Sequence, residues 1–474
     1  MKEKRRSASL IIGPCLFAVL SRLLQPAFSA GGAEAIGMLA WMICWWSFCP
    51  VNMTVTALLP IVINALLGIV PMNDVISQYA SPSVILIFGT GLLSAAWARS
   101  GLDRRVALRA LAVIGPSLQS QISAWFLASA VLSIFMPNVA VCALYCPIAA
   151  AMLKEAGYDR ISDCPQAAMI LLAIGWGAGI GGAGSPLGGA MNLTAISCLE
   201  QYTGKEFMYI DWVVRMAPYV VLAAAAIRAM LLKDSRGYAP IQGSREFFRK
   251  RLAELPPISE EEIADITVFA AAIATAFLRP LYAKALPMAE PAYIFLTAGM
   301  LMFLIRGRDY EPLLAWHEAQ EHTLWGMMIL FGGGIALGTV LAESGAVAKA
   351  VSMIHAVPGG ELTMIVIFSV CSAALSETTN STVSAAVIIP AVISTASSLE
   401  QNPVSYWLIA SMALNAEFLL PISIRAIPVS YGLPAGLMLK KGIPVMLVRL
   451  AIAVAYGYLC MKLVPGFSML SSWN

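Results

Sequence analysis

A run of seven polar residues, Ser376 to Thr382, interrupts a mainly apolar part of the chain, with Met364–Leu375 before it and Val383–Val392 after it. Bilayer hydrocarbon cannot satisfy the hydrogen-bonding groups of such a run. Polar side chains at membrane depth usually face a protein interior or a water-filled cavity. We therefore interpret residues 376–382 as half of a binding site inside a membrane protein.

The composition supports this interpretation and excludes other classes of protein. The 474 residues are 59% hydrophobic and 12% charged, with a mean hydropathy of +0.78, whereas soluble domains have about 25% charged residues. The net charge of +3 does not indicate a nucleic-acid partner. Nine cysteines are scattered without a His or carboxylate at ligand spacing. We interpret them as buried thiols and not as a disulfide framework or metal site.

The apolar runs predict an all-α polytopic membrane protein. Because about 20 apolar residues cross a bilayer as a helix, we count about 11 transmembrane segments, one of them near 51–70. The basic start of the chain is not followed by a small-residue cleavage site, so the first segment is expected to remain as an anchor. The predicted divisions are an N-terminal segment 1–34, a first repeat 35–232, a solvated cytoplasmic linker 233–263 and a second repeat 264–474.

Two apolar runs are too long for one helix across the membrane. As a helix, Gln121–Leu153 would extend about 50 Å, against a hydrocarbon core of about 30 Å, and Pro137-Asn138 breaks it. We predict a re-entrant hairpin at 121–154, in preference to one kinked and tilted helix. A second hairpin is predicted at 362–399, with the polar run at its tip.

An interrupted helix follows each hairpin in this prediction. In the first half, Gly179–Gly189 breaks an apolar run, because each Gly costs about 1 kcal/mol relative to Ala in a helix. In the second half the interrupted span is 404–438, and a last span follows at 442–464.

Matching motifs at a single offset indicate an internal repeat. Phe88-Gly89-Thr90-Gly91 and Phe331-Gly332-Gly333-Gly334 are 243 positions apart (331 − 88), and the pair Asn138 and Pro147 lies the same 243 from Ser381 and Pro390. Lys and Arg accumulate on the cytoplasmic side of membrane proteins. The basic residues near the N-terminus and in Arg99–Arg109 therefore place both inside. The corresponding piece of the second half, near 345–357, has few basic residues, so the repeats are predicted to be inverted.

With this framework the chain resembles the divalent anion:sodium symporter family, which comprises dicarboxylate, citrate and sulfate carriers. The resemblance covers most of the chain. It rests on motifs that follow one another in the family's order: Phe88-Gly89, Gly101-Leu102-Asp103-Arg104-Arg105, Gly181-Gly182-Ala183-Gly184-Ser185, and Phe331-Gly332-Gly333-Gly334 before Ser344-Gly345.

The resemblance implies a site built from two hairpin tips. In that family each tip reads Ser-Asn-Thr, binds one carboxylate group and helps to coordinate sodium. By position the tips here are Pro137-Asn138-Val139, which lacks both hydroxyls, and Asn380-Ser381-Thr382, which follows Thr379. The family's adjoining Pro-Pro-Asn loops correspond here to a segment that keeps Asn192 and to one that gains Arg425.

The predicted ligands follow from these correspondences and from the chemistry of broken helices. Helix N-termini at the tips can hold a dianion without a full positive charge, and carbonyl oxygens at broken helices can hold a cation. The predicted substrate-binding residues are Asn138, Asn192, Thr379, Asn380, Ser381, Thr382 and Arg425. The predicted sodium ligands are Asn138, Gly184 and Ser381.

Arg425 carries two alternative interpretations. It lies in an apolar segment, where an arginine can clamp a carboxylate bidentately or stand in for a bound cation. Intramembrane charges also pair with one another, and Glu377 and Glu417 are the available partners. The sequence leaves this choice open.

The preferred functional prediction is a secondary carrier for a small organic dianion, such as a four-carbon dicarboxylate, that works by alternating access with sodium as the coupling ion. Anion exchange and proton coupling are the alternatives, and an anion channel is the alternative from another class. No nucleophile with an adjacent base indicates an enzyme. The resemblance also implies a homodimer in the cell membrane, and the basic residues predict a cytoplasmic N-terminus.

Overall fold

The structure is a computed structural model that describes residues 2–48, 50–112, 114–115, 117–158, 164–308, 310–323, 325–346, 349, 360–378, 381–415, 418–419 and 423–470. In these residues the regular structure is helical, apart from one isolated β-bridge between Arg306 and Pro312. The predicted all-α fold is confirmed.

The first half of the chain contains twelve of the described helices. In order they are α1 (Lys2–Leu23), α2 (Ala30–Phe48), α3 (Met53–Thr56), α4 (Leu59–Leu67), α5 (Met72–Ile76), α6 (Pro82–Ser100), α7 (Leu102–Leu111), α8 (Leu118–Phe135), α9 (Asn138–Glu155), α10 (Pro165–Gly182), α11 (Ala190–Thr203) and α12 (Tyr209–Asp234).

The linker and the second half repeat much of this order. The helices are α13 (Ser244–Ala253), α14 (Glu260–Phe277), α15 (Arg279–Tyr282), α16 (Pro291–Leu304), α17 (Trp316–His322), α18 (Trp325–Glu343), α19 (Glu361–Thr378), α20 (Ser381–Ser398), α21 (Pro403–Leu414), α22 (Ala426–Ser430) and α23 (Ala435–Leu463).

A helix pair lies at each of the two predicted hairpins, and the re-entrant path of these pairs stays a prediction. The first consists of α8 and α9, joined at Met136-Pro137, and the second consists of α19 and α20. Ser117 caps α8 by accepting the N–H of Ser120, and Pro137 precedes the first residue of α9, where its fixed φ ends one helix and permits the next to begin. Each hairpin packs on the interrupted helix that follows it, α10 or α21.

Apolar side chains form three cores, which share a few helices. The largest contains both hairpins, α10, α12, α21 and α23. A second contains α6, α14 and α16, and a third contains α2, α4 and α18. We call the elements of the largest core the hairpin bundle and those of the other two cores the scaffold bundle.

Eight helices in the described part of the chain are long and apolar enough to cross a membrane. Shorter apolar helices, such as Pro291–Leu304 and Pro403–Leu414, accompany them. The protein is therefore a multi-pass membrane protein. The opposite orientation of its two repeats stays a prediction from the basic residues.

Three local expectations from the sequence are wrong. The last helix, α23, continues through Lys440-Lys441, where a boundary between spans was expected; Lys441 reaches Asp234 of α12 at 3.0 Å. The expected single span at 51–70 is divided into α3 and α4, because Pro60 in the first turn of α4 cannot continue a preceding helix.

The third wrong expectation concerns the linker, which is not simply a solvated segment. Phe247 and Phe248 of α13 are buried. Gln121 of α8 donates hydrogen bonds to the Ile241 carbonyl (2.9 Å) and to the Ser244 hydroxyl (2.8 Å). The linker is thus attached to the first hairpin. Most of the expected interfacial piece near 345–357 lies outside the described residues.

Candidate functional site

A small cavity lies where the two hairpin tips approach the scaffold bundle. Its volume of about 50 Å³ is enough for a few water molecules. The first tip contributes Pro137, Asn138 and Val139, and the second contributes Ser381 and Thr382. The remaining lining residues are Ile87, Thr90, Leu187, Ala190, Met191, Leu193, Met327 and Leu330. Two segments separated by more than 240 positions therefore share one cavity.

Three helices begin at this cavity. Asn138 starts α9, Ala190 starts α11 and Ser381 starts α20, and all three residues line the cavity. A helix N-terminus carries a partial positive charge and N–H groups without partners inside the helix. Among the described lining residues no side chain is charged. The backbone alone thus makes this cavity suited to an anion.

The first tip rests on the glycine-rich end of α10. A Cβ added to Gly181 would lie 2.0 Å from the Ala130 carbonyl oxygen of α8, so only glycine allows this approach. Ser185, just beyond the end of α10, donates to the Ile134 carbonyl and accepts the Gly188 N–H at 3.2 Å. The glycines of this run therefore bring the broken helix against the hairpin.

Asn192 holds this break together and does not line the cavity. Its Nδ2 donates to the carbonyls of Gly182 (2.7 Å) and Ser185 (2.8 Å). Its Oδ1 accepts a hydrogen bond from Asn415 at 3.1 Å, just beyond the end of α21. The amide thereby links the breaks of the two repeats. A direct substrate contact for Asn192 stays a prediction.

The second tip is attached to the end of α21 through two serines. Ser376 donates to the Leu414 carbonyl at 2.6 Å, and its oxygen lies 2.7 Å from the Ser381 oxygen. Because a hydroxyl has one proton, Ser381 is the donor in the second bond. The two serines thus connect the start of α20 to the end of α21.

Arg425 forms a buried ion pair with Glu377, the second of the two alternatives from the sequence. Both side chains are at least 96% buried. Glu377 also accepts the N–H groups of Phe418 (2.8 Å) and Leu419 (3.0 Å). Arg425 is absent from the described lining of the cavity. The pair fixes the base of the second tip; the other possible partner, Glu417, lies outside the described residues.

Sequence reasoning missed Arg449, which is fully buried in the middle of α23. Its guanidinium donates to the carbonyls of Met412 (2.6 Å) and Ala413 (2.9 Å) in the last turn of α21. It also donates to the Tyr219 hydroxyl at 3.0 Å. A lone arginine inside an apolar span was the available signal.

The predicted site residues fall into three groups. Asn138, Ser381 and Thr382 meet at the cavity. Three others, Asn192, Gly184 and Arg425, are not among the described lining residues. The Gly184 N–H donates to the Gly181 carbonyl at 2.9 Å. Thr379 and Asn380 lie outside the described residues. The roles of all these residues in binding stay predictions.

Two helical hairpins and two broken helices around a cavity between bundles are the arrangement of a secondary membrane transporter, not an enzyme. Comparison with known proteins gives the same class. The chain belongs to the citrate transporter family, CitMHS, whose family model matches residues 38–461.

Individual relatives agree with this membership. The sodium-dependent dicarboxylate transporter SdcS of Staphylococcus saprophyticus is 28% identical over 434 residues, covering 87% of this chain and 82% of the relative. SdcS of Staphylococcus aureus strain NCTC 8325 is 27% identical over 432 residues, with the same coverages. The predicted resemblance to dicarboxylate and citrate carriers is confirmed.

A solved structure has the same fold. The YdaH transporter of Alcanivorax borkumensis, described as having an unusual topology, aligns with a TM-score of 0.53 and 13% identity. The alignment covers 85% of this chain and 89% of that chain.

Proposed function

We propose that the protein carries small divalent organic anions, of the size of a four-carbon dicarboxylate, across the cell membrane by sodium-coupled alternating access. The observation that carries this proposal is the meeting of three helix N-termini at one cavity without a charged lining side chain. The printed function of the SdcS relatives, sodium-dependent dicarboxylate transport, supports it.

The substrate carboxylates would be held by backbone N–H groups and neutral side chains. The N-termini of α9 and α20 attract one carboxylate group each, while Asn138 and Thr382 donate hydrogen bonds. A site without a fixed charge can also release the dianion once the coupling ions leave.

Sodium would bind at oxygen atoms beside the tips. Ser381 lines the cavity, and the broken end of α10 near Gly184 offers carbonyl groups close to Asn138, whose Cβ lies 3.4 Å from where a Cβ on Gly182 would stand. Hard cations prefer such oxygen ligands. Bound sodium would neutralise part of the dianion's charge, which couples the two binding events.

Movement of the hairpin bundle against the scaffold bundle would expose the cavity to each side in turn. The cavity lies at the boundary of the two bundles, with Thr90 near the middle of α6 as part of the scaffold wall. We further propose a cytoplasmic N-terminus, because Lys and Arg concentrate there, and a homodimer, as the family resemblance implies.

Anion exchange is the second candidate, and Arg449 favours it. The carbonyl oxygens at the end of a broken helix commonly coordinate a cation. At the end of α21 the Arg449 guanidinium already donates hydrogen bonds to two of these oxygens. A built-in cation at this end would lower the requirement for sodium.

Substrate competition and two matched variants test the proposed site. Uptake of labelled succinate into proteoliposomes should be inhibited by malate and other small dianions but not by butyrate. Thr382→Val removes a cavity hydroxyl at nearly constant volume and should raise KM by at least about 10-fold, since a hydrogen bond to a charged group is worth roughly 1.5–3 kcal/mol.

Thr339→Val is the control for this variant. Thr339 is also buried, but it donates to the Ile335 carbonyl at 3.2 Å within α18 and does not line the cavity. Its KM should stay unchanged. An equal KM in Thr382→Val and the wild type would refute the proposed site.

A further inference from the structure

A second, larger cavity separates the first hairpin from the scaffold bundle. It encloses about 680 Å³ between α8 on one side and α14 with the end of α6 on the other, and α7 closes one end. The lining is almost wholly apolar, from Ala124 to Phe135 on α8 and from Phe269 to Ala274 on α14. We call this cavity the apolar crevice.

The apolar crevice opens onto a surface that faces hydrocarbon. Leu127 and Val131 line it and are also 47% and 56% exposed. Both belong to a helix with the length and composition of a membrane span. Lipid chains therefore have direct access, and water in so apolar a space would lack hydrogen-bond partners.

The length of the crevice fits one leaflet. Along α8 its lining runs from Ala124 to Phe135, which is about 16 Å of helix, and half of a hydrocarbon core is about 15 Å. Phe135 is the last residue of α8 before the first tip. A chain that enters beside α7 would end just below the tip.

Two cations lie at the α7 end. Arg109 is exposed and directly precedes Ala110, which lines the crevice. Arg228 of α12 donates to the Ser123 hydroxyl at 3.0 Å, next to the lining residue Ala124. Basic side chains at a membrane surface attract anionic lipid headgroups.

We propose that the apolar crevice binds an anionic phospholipid, with one acyl chain between the first hairpin and the scaffold bundle and the phosphate near Arg109 and Arg228. The lipid fills the boundary along which the bundles move, so the transport rate depends on anionic lipid. This inference does not depend on the identity of the substrate or the coupling ion.

Filling the crevice tests the acyl-chain part. Ala274→Trp places an indole in the crevice from an exposed position on α14, and Ala271→Trp places the same group at an exposed position one turn earlier that is not among the described lining residues. Phospholipid retained by the purified protein is measured by native mass spectrometry. The wild type and Ala271→Trp should retain phosphatidylglycerol, and Ala274→Trp should lose it.

Charge removal tests the headgroup part. Arg109→Gln should reduce the preference for phosphatidylglycerol over phosphatidylcholine about fivefold, as expected for one cation at a membrane surface. Arg104→Gln is the control, because Arg104 is also exposed on α7 but lies in its first turn, whereas Arg109 directly precedes the lining residue Ala110. Reconstituted wild-type protein should transport faster in vesicles with phosphatidylglycerol than in phosphatidylcholine alone, and Ala274→Trp should not.

Two results would overturn the proposal. One is equal lipid retention by Ala274→Trp and Ala271→Trp. The other is a change of oligomer mass in Ala274→Trp with unchanged lipid, which would assign the crevice to a second copy of the chain. Lipid retention is measured without substrate, so a failure of the proposed transport function leaves this test intact.

Discussion

At the scale of single residues, the buried pair of Arg425 and Glu377 decides how the second tip is held. Replacing Arg425 by Met would leave the Glu377 carboxylate buried without its cation, at a cost of about 3–5 kcal/mol. We expect the double variant Arg425→Met/Glu377→Gln, whose amide oxygen can still accept the Phe418 N–H, to recover much of this loss, measured as thermal unfolding in detergent.

The same double variant separates the two alternatives for Arg425. If the arginine only positions the tip, the double variant should transport with a KM near the wild-type value. If it clamps a substrate carboxylate, stability should return while KM stays raised. Because the pair is seen and the cavity lining lacks Arg425, we expect the first outcome.

Glu200 gives the protein a dependence of stability on pH. It lies in the last turn of α11, beside the loop to α12, and burial raises its pKa to about 8 from 4.5, with Glu290 and Glu206 adding to the rise and the Phe207 N–H opposing it. Since the pKa is raised on folding, the group's contribution is fully present below about pH 4.5 and is lost as pH rises towards 8.

Glu200→Gln should therefore raise the thermal unfolding temperature at about pH 9 and change it little at about pH 4.5. The glutamine oxygen can still accept the Phe207 N–H, which is 2.8 Å from Glu200 Oε1. Unfolding temperatures measured at the two pH values check this. The same shift at both would contradict the assigned pKa.

At the scale of elements, contact between the first hairpin and α10 requires glycine at position 181 but not at position 179. In Gly181→Ala the new Cβ would lie 2.0 Å from the Ala130 carbonyl oxygen, whereas a Cβ at Gly179 would meet no atom within 4 Å beyond its own stretch of helix. We expect Gly181→Ala to lose most transport and to unfold at a lower temperature.

Gly179→Ala serves as the matched control in the same helix. It should be tolerated, because alanine favours a helix by about 1 kcal/mol over glycine. Uptake rates and unfolding temperatures of both variants are the measurements. Similar losses in the two would show that the glycine run acts through backbone freedom and not through close approach.

The hairpins were predictable at this scale because length and local breakers are sequence properties. The run 121–154 is too long for one span, and Pro137 marks its break; the structure places the hairpin at 118–155. The continuity of α23 was not predictable from Lys440-Lys441, because the Lys441 partner, Asp234, lies about 200 positions away.

Side-chain partners within the site were less predictable than the elements. Asn192 looks like a ligand in the sequence, yet its amide bonds to Gly182, Ser185 and Asn415. In the sequence Arg449 is only a charge in an apolar run. Its role, which is to hold the last turn of α21, depends on the packing of α23 against that helix. Such pairings depend on tertiary contacts that local spacing does not encode.

At the scale of the whole molecule, the small cavity and the apolar crevice lie between the hairpin bundle and the scaffold bundle. Their cores are joined at a few residues, such as Val383 of α20, which packs with α2, α4 and α18. The proposed transport cycle moves one bundle while the other stays in place. Both tips and the scaffold bundle line the small cavity, which is where that movement would change access to the substrate.

The most direct test of sodium-coupled transport measures the uptake of labelled succinate into proteoliposomes under an inward sodium gradient and under an inward potassium gradient. Each gradient is tested with and without unlabelled succinate inside. We predict concentrative uptake that requires sodium and does not require internal succinate. Equal uptake in potassium that occurs only with internal succinate would contradict sodium coupling and establish exchange. No uptake or exchange of any dianion under either gradient would contradict the proposed site itself.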